Sequence, residues 1–93
     1  MLRHVVMIKL KEGFDAVYCH ELISQLALRV ESVRSVSCGF DIVKSSSSFD
    51  YCFMVEFTDL NGFEEYESSD YHQLIRGEIR RIRTASHAVD FYE

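Results

Sequence analysis

A chain of 93 residues, 47% apolar and 27% charged, has room for one globular domain, here residues 1–93. Its formal net charge of −5 excludes the general affinity for nucleic acid that a surplus of lysine and arginine brings. Three cysteines (Cys19, Cys38, Cys52) without a Cys-x-x-Cys spacing predict reduced thiols in a cytoplasmic protein, and His4, His20, His72 and His87 lack the short spacings of a zinc site, so neither metal nor cofactor is expected.

Met1 to Leu10 is broken by Arg3, His4 and Lys9, which leaves no continuous apolar segment of signal-peptide type, and no stretch of the chain is apolar enough to span a membrane. Leu2 to Leu10 alternates and is apolar on both sides, with Leu2, Val6, Ile8 and Leu10 accompanying His4 on one face and Val5 and Met7 on the other. That is the pattern of a central strand. After a turn at Lys11-Glu12-Gly13, Asp15 is placed to cap a helix running to about Glu31, with Tyr18, Cys19, Leu22, Ile23, Leu26 and Val30 as its apolar stripe.

Ser35 to Lys44 reads as a weaker strand with a bulge at Gly39, and Ser45 to Phe49 as a polar hairpin loop. Asp50 to Thr58 is the strongest strand, with Tyr51, Phe53, Val55 and Phe57 on one face and Cys52 and Met54 on the other. Thr58 or Asp59 caps a short helix through Leu60, Phe63 and Tyr66; a second follows with Tyr71, Leu74, Ile75, Ile79 and Ile82 on its core face. At its end Arg76, Arg80, Arg81 and Arg83 read as a solvated basic face that complements the helix dipole. Thr84 to Tyr92 alternates as the last strand.

Strand, helix, strand, strand, helices, strand is the split βαβ order of α+β ferredoxin-like folds: a four-stranded antiparallel sheet with helices on one face and its first and third strands in the middle. Nothing remains to cover the second face. A homodimer with the two sheets packed face to face is the economical solution, and it supplies burial that so short a chain lacks.

Leu2-Arg3-His4-Val5-Val6 at the start, Tyr66 with His72 six residues later, and Val89-Asp90-Phe91 at the end resemble the stress-responsive dimeric α/β-barrel (Dabb) domain family over nearly the whole chain. The resemblance implies a dimeric barrel with a narrow pocket between sheet and helices, lined in part by Leu22, Leu26, Ile75 and Ile79. It also implies a small apolar or aromatic ligand. Members include stress-induced plant proteins and a polyketide cyclase in which a tyrosine and a histidine carry acid–base chemistry, corresponding here to Tyr66 and His72. The family's His-Pro-x-His is written Ser69-Asp70-Tyr71-His72 in this chain, and Tyr51 stands where the cyclase has a further histidine.

On one straight helix Tyr66 and His72 would point about 240° apart. A break at Ser68-Ser69-Asp70, with Asp70 capping the second helix and Gln73 completing a capping box, turns both toward one cavity. In the first turn His72 feels the positive end of the helix dipole, which favours the neutral ring of a general base, while the Tyr66 hydroxyl would bond a developing oxyanion. His4 and Asp90 form a second pair, sharing a face on neighbouring antiparallel strands, where the carboxylate would fix the imidazole tautomer. His20 and His87 are expected to pack or face solvent. Three functions follow: a ligand-binding dimer without a defined reaction, a cyclase or lyase using His72 and Tyr66, or a purely structural stress protein.

Overall fold

In the computed structural model, which describes residues 1–93, the elements are β1 (Leu2–Leu10), α1 (Val17–Ser24), α2 (Leu26–Arg29), β2 (Ser35–Phe40), β3 (Tyr51–Phe57), α3 (Leu60–Glu67), α4 (Asp70–Ile82) and β4 (Arg83–Tyr92). The strands form one antiparallel sheet in the order β2-β3-β1-β4. β1 and β3, apolar on both faces, are therefore the central pair, and the topology is ferredoxin-like.

Alternation assigns the two faces. Leu2, Val6 and Ile8 of β1 and Tyr51, Phe53, Val55 and Phe57 of β3 point inward, under Cys19, Leu22 and Ile23 of α1, Leu26 of α2, Tyr66 of α3, and Ile75 and Ile82 of α4. Burial of each large apolar side chain contributes about 1.5–3 kcal/mol, so this layer holds the fold. The outer face bears Val5, Met7, Cys52, Met54, Val89 and Phe91, which pair across the register with no helix over them. Met7, Val89 and Phe91 are 41%, 58% and 39% exposed. Arg3 borders this patch, bridging Glu56 at 3.1 Å and Glu93 at 2.9 Å.

Several local expectations change. The helix predicted from Asp15 to Glu31 breaks at Gln25, where the Ser24 hydroxyl donates to the His20 carbonyl at 2.6 Å, a back-bond that bends and weakens helices. Tyr18 stands exposed on α1, and Val30 is buried beyond the helical segment. Asp15 is not the cap residue; Ala16 is, and the Asp15 carboxylate accepts from the Val17 amide at 3.0 Å one residue further out. The second strand stops at Phe40, four residues early, because its partner β3 begins at Tyr51; Ile42 and Val43 are left in solvent.

Gly39 pairs regularly with Cys52, and the sheet's irregularity lies between Lys9 and Leu10. Gly13 alone among the glycines has a positive φ, 81°, closing the predicted turn after β1 in a conformation that other residues resist. Leu74 is exposed rather than core-facing. No helix is long and apolar enough to cross a membrane.

Candidate functional site

β1 and β4 run antiparallel with His4 opposite Asp90, and equal parity puts both side chains on the inner face. Their Nδ1 and Oδ1 atoms lie 2.5 Å apart. An Asp90 carboxylate that accepts from Nδ1–H leaves Nε2 with its lone pair and no protein partner, the tautomer a general base requires. Phe63 packs over the ring at a centroid distance of 5.1 Å and Phe53 meets its edge at 6.3 Å. His4 is thus a buried imidazole fixed in both tautomer and direction.

The helix break supplies the second pair. Asp59 caps α3, accepting from the Gly62 amide at 3.1 Å, and α3 ends just after Tyr66. The cap of α4 is Ser69, not Asp70: its hydroxyl accepts from the His72 amide at 3.1 Å and donates to the Tyr66 carbonyl at 2.7 Å. A serine reaches these groups from the extended conformation it adopts, which displaces Asp70 into the first turn and removes Gln73 from the capping-box position. One hydroxyl therefore ties the residue before the break to the residue after it.

Tyr66 and His72 meet with ring centroids 4.7 Å apart at 69°. Burial pushes the Tyr66 hydroxyl above its ordinary range, helped by the negative charge of Glu67, so it stays a donor. Burial also lowers the proton affinity of His72; Glu67, 3.5 Å from Nε2, opposes this, and Arg76 and His4 add to it. The His72 ring is neutral at physiological pH, and its Nδ1 is sealed and unpartnered.

His4, Tyr66 and His72 line one cleft of about 310 Å³ between the sheet and α4. Its apolar wall is Val6, Phe53, Ile75 and Ile79. The remaining wall is polar, with Glu67, Ser86 and three arginines, Arg76, Arg80 and Arg83. Ile75 and Ile79 line the cleft, and Asp90 lies behind His4 without lining it. Leu22 and Leu26 do not reach the cleft, because α1 and α2 press them into the core beside β3. The basic cluster, expected as a solvated face, is exposed at Arg76, Arg80 and Arg81 and half-buried at Arg83; Arg81 clasps Glu78 at 2.8 and 2.9 Å, and the other three also border the cleft.

That lining was legible as spacing alone, since residues 72, 76, 80 and 83 form one stripe beside the isoleucine stripe of α4. Elsewhere His20 packs on Phe40 and bonds the Tyr51 hydroxyl at 2.7 Å, outside the cleft, and His87 meets Phe49 on the outer face. Burial pushes the Cys19 thiol up to about 12, which leaves it inert. No three His, Cys, Asp or Glu side chains gather as a metal site.

The sequence profile of the stress responsive A/B barrel domain family matches residues 2–93. Among solved structures, a dimeric ferredoxin-like protein of unknown function from Thermobifida fusca superposes with a TM-score of 0.88 at 16% identity, over 99% of this chain and 90% of its own. A Dabb family protein from Mesorhizobium loti gives 0.73 at 14%, over 99% and 95%. Hydroxynitrile lyase from Passiflora edulis gives 0.80 at 13%, over 97% and 90%. At such identities the superpositions establish a shared fold alone. Among curated proteins, none matches by sequence.

Proposed function

The chain belongs to the stress-responsive A/B barrel (Dabb) domain family, and from that premise we propose that it works as a homodimer whose subunits bind a small apolar or aromatic carbonyl compound and move a proton on it, chemistry of the lyase or cyclase class. The observation that carries this reading is the convergence of two imidazoles and a buried tyrosine, His4, His72 and Tyr66, on one cleft. His72, kept neutral by burial, takes the proton; the Tyr66 hydroxyl donates to the oxyanion that forms; His4, aligned by Asp90, serves as the second acid–base group. Hydroxynitrile lyase from Passiflora edulis is one protein of this fold with lyase chemistry.

The dimer is supported by the uncovered apolar face and by the dimeric state of similar structures. Three free cysteines suit a reducing, cytoplasmic setting. Binding without turnover is the second reading; the sealed Nδ1 of His72, which a substrate meets only after the ring turns, favours it.

Deuterium wash-in separates the two. In D₂O, with a panel of aryl ketones and one aromatic cyanohydrin, the enzyme reading expects exchange or cleavage above the buffer rate that His72→Ala abolishes while ligand binding survives. Equal turnover in wild type and His72→Ala sinks it. A dimer that binds the panel without either reaction leaves the binding role.

A further inference from the structure

The polar wall of the cleft carries three guanidinium groups beside the neutral His72. His72, Arg76, Arg80 and Arg83 recur at i, i+4, i+8 and i+11 along α4 and its C-cap, which keeps them within an arc of about 80°, and all four line the cleft. Glu67 is the one carboxylate on that wall, and it faces His72. Arg76, Arg80 and Arg83 form no ion pair, as is also true of Arg29 and Arg34, but these three alone share one wall of the cleft; Arg3 and Arg81, outside it, are held by carboxylates. Arg83 is instead aimed by a side-chain bond, donating to the Ser86 hydroxyl at 2.7 Å.

A chain with 15 acidic and 10 basic residues has ample carboxylate to neutralise three guanidinium groups. None is supplied here. Complementing the helix dipole does not account for the arrangement either, since Arg76 sits in mid-helix and the dipole acts only within the last turn. Unpaired guanidinium forks on one side of an apolar cleft are suited to a planar or tetrahedral anion, which they bind in bidentate fashion.

We propose that the cleft selects organic anions: an apolar, preferably aromatic body lies against Phe53, Ile75 and Ile79, and a carboxylate or phosphate head is held by Arg76, Arg80 and Arg83. This rests on the cleft being the ligand site, and it adds the charge of the ligand. The body then lies alongside the three groups of the acid–base reading, and the arginines fix which end enters first.

The test uses 2-naphthoate, 2-naphthyl phosphate and 2-naphthamide, one aromatic body with different heads, titrated by ligand-observed NMR against wild type and the Arg76→Gln/Arg80→Gln double variant. Both side chains are solvent-exposed, so the fold is retained, and circular dichroism verifies it. Wild type is expected to bind at least one anion about tenfold more tightly than the amide. In the double variant that preference falls to about threefold or less, while amide affinity stays constant. The preferred anion identifies the head group. Equal wild-type affinity for all three overturns anion selection and leaves the cleft as a ligand site. A preference that persists in the double variant overturns the assignment to these arginines. Absence of binding by all three overturns both the selection and the ligand-site reading.

Discussion

Tyr66 and His72 belong to different helices, yet their rings meet edge to face with centroids 4.7 Å apart. A tyrosine kept protonated by burial thus stands against an imidazole kept neutral by burial, a donor beside a base within one cleft. His72→Ala is expected to lower any proton-transfer rate by about 10²–10⁴-fold, and Tyr66→Phe by about 10²–10³-fold. Single-turnover deuterium exchange measures both. In His4→Ala, ligand affinity and rate should fall together, because that ring fills the floor of the cleft.

The pH dependence follows from His72. Burial lowers its proton affinity from the ordinary 6.5, so between the two values the unfolded chain binds more protons than the folded one. The stability associated with the neutral ring is fully present above 6.5 and is lost as pH falls below it through the lowered value. Thermal unfolding of wild type and His72→Gln should diverge most above pH 6.5 and converge under acid conditions, and the acidic limb of any activity profile should lie below the ordinary histidine range.

Ser69 is the hinge of the site. Ser69→Ala is expected to cost about 1 kcal/mol in denaturant unfolding and to loosen the Tyr66–His72 contact, whereas Ser69→Asp keeps the accepting oxygen and most of the stability. Asp70→Asn, at a residue that caps nothing, should change stability little.

Assembly is tested on the outer face. Met7→Glu puts a charge in the centre of the apolar patch and should convert a dimer to a monomer by mass in solution. Cys52, paired with Met7 across the sheet, should then label faster with a maleimide than in wild type. A wild-type chain that is monomeric at micromolar concentration refutes the dimer.

Strand order and faces were legible in the sequence because a side-chain period of two is unambiguous over the length of β1 and β3. The His4–Asp90 pair followed from parity and antiparallel order alone. Local devices were less visible. Ser24 and Ser69 act through hydroxyl bonds to carbonyls and amides three or four residues away, and a serine carries no apolar signal to mark where a helix bends or begins.

The arginines were obscured for a different reason. Arg81 and Arg80 are adjacent in sequence but lie about 100° apart around the helix, so a cluster counted along the chain mixes an arginine paired with the buried Glu78 with the wall of a cleft. Leu22 and Leu26 show the converse: apolar periodicity marks a buried face and does not distinguish the part that borders a cavity from the part that is filled.

β1 presents His4 and Val6 to the cleft and Val5 and Met7 to the outer face in strict turn. Inserting or deleting one residue within it would exchange the two sets and destroy both surfaces at once. The strand therefore cannot change length, and growth or shrinkage of the chain during divergence is confined to connections such as Ser45 to Phe49, where no ladder counts the residues.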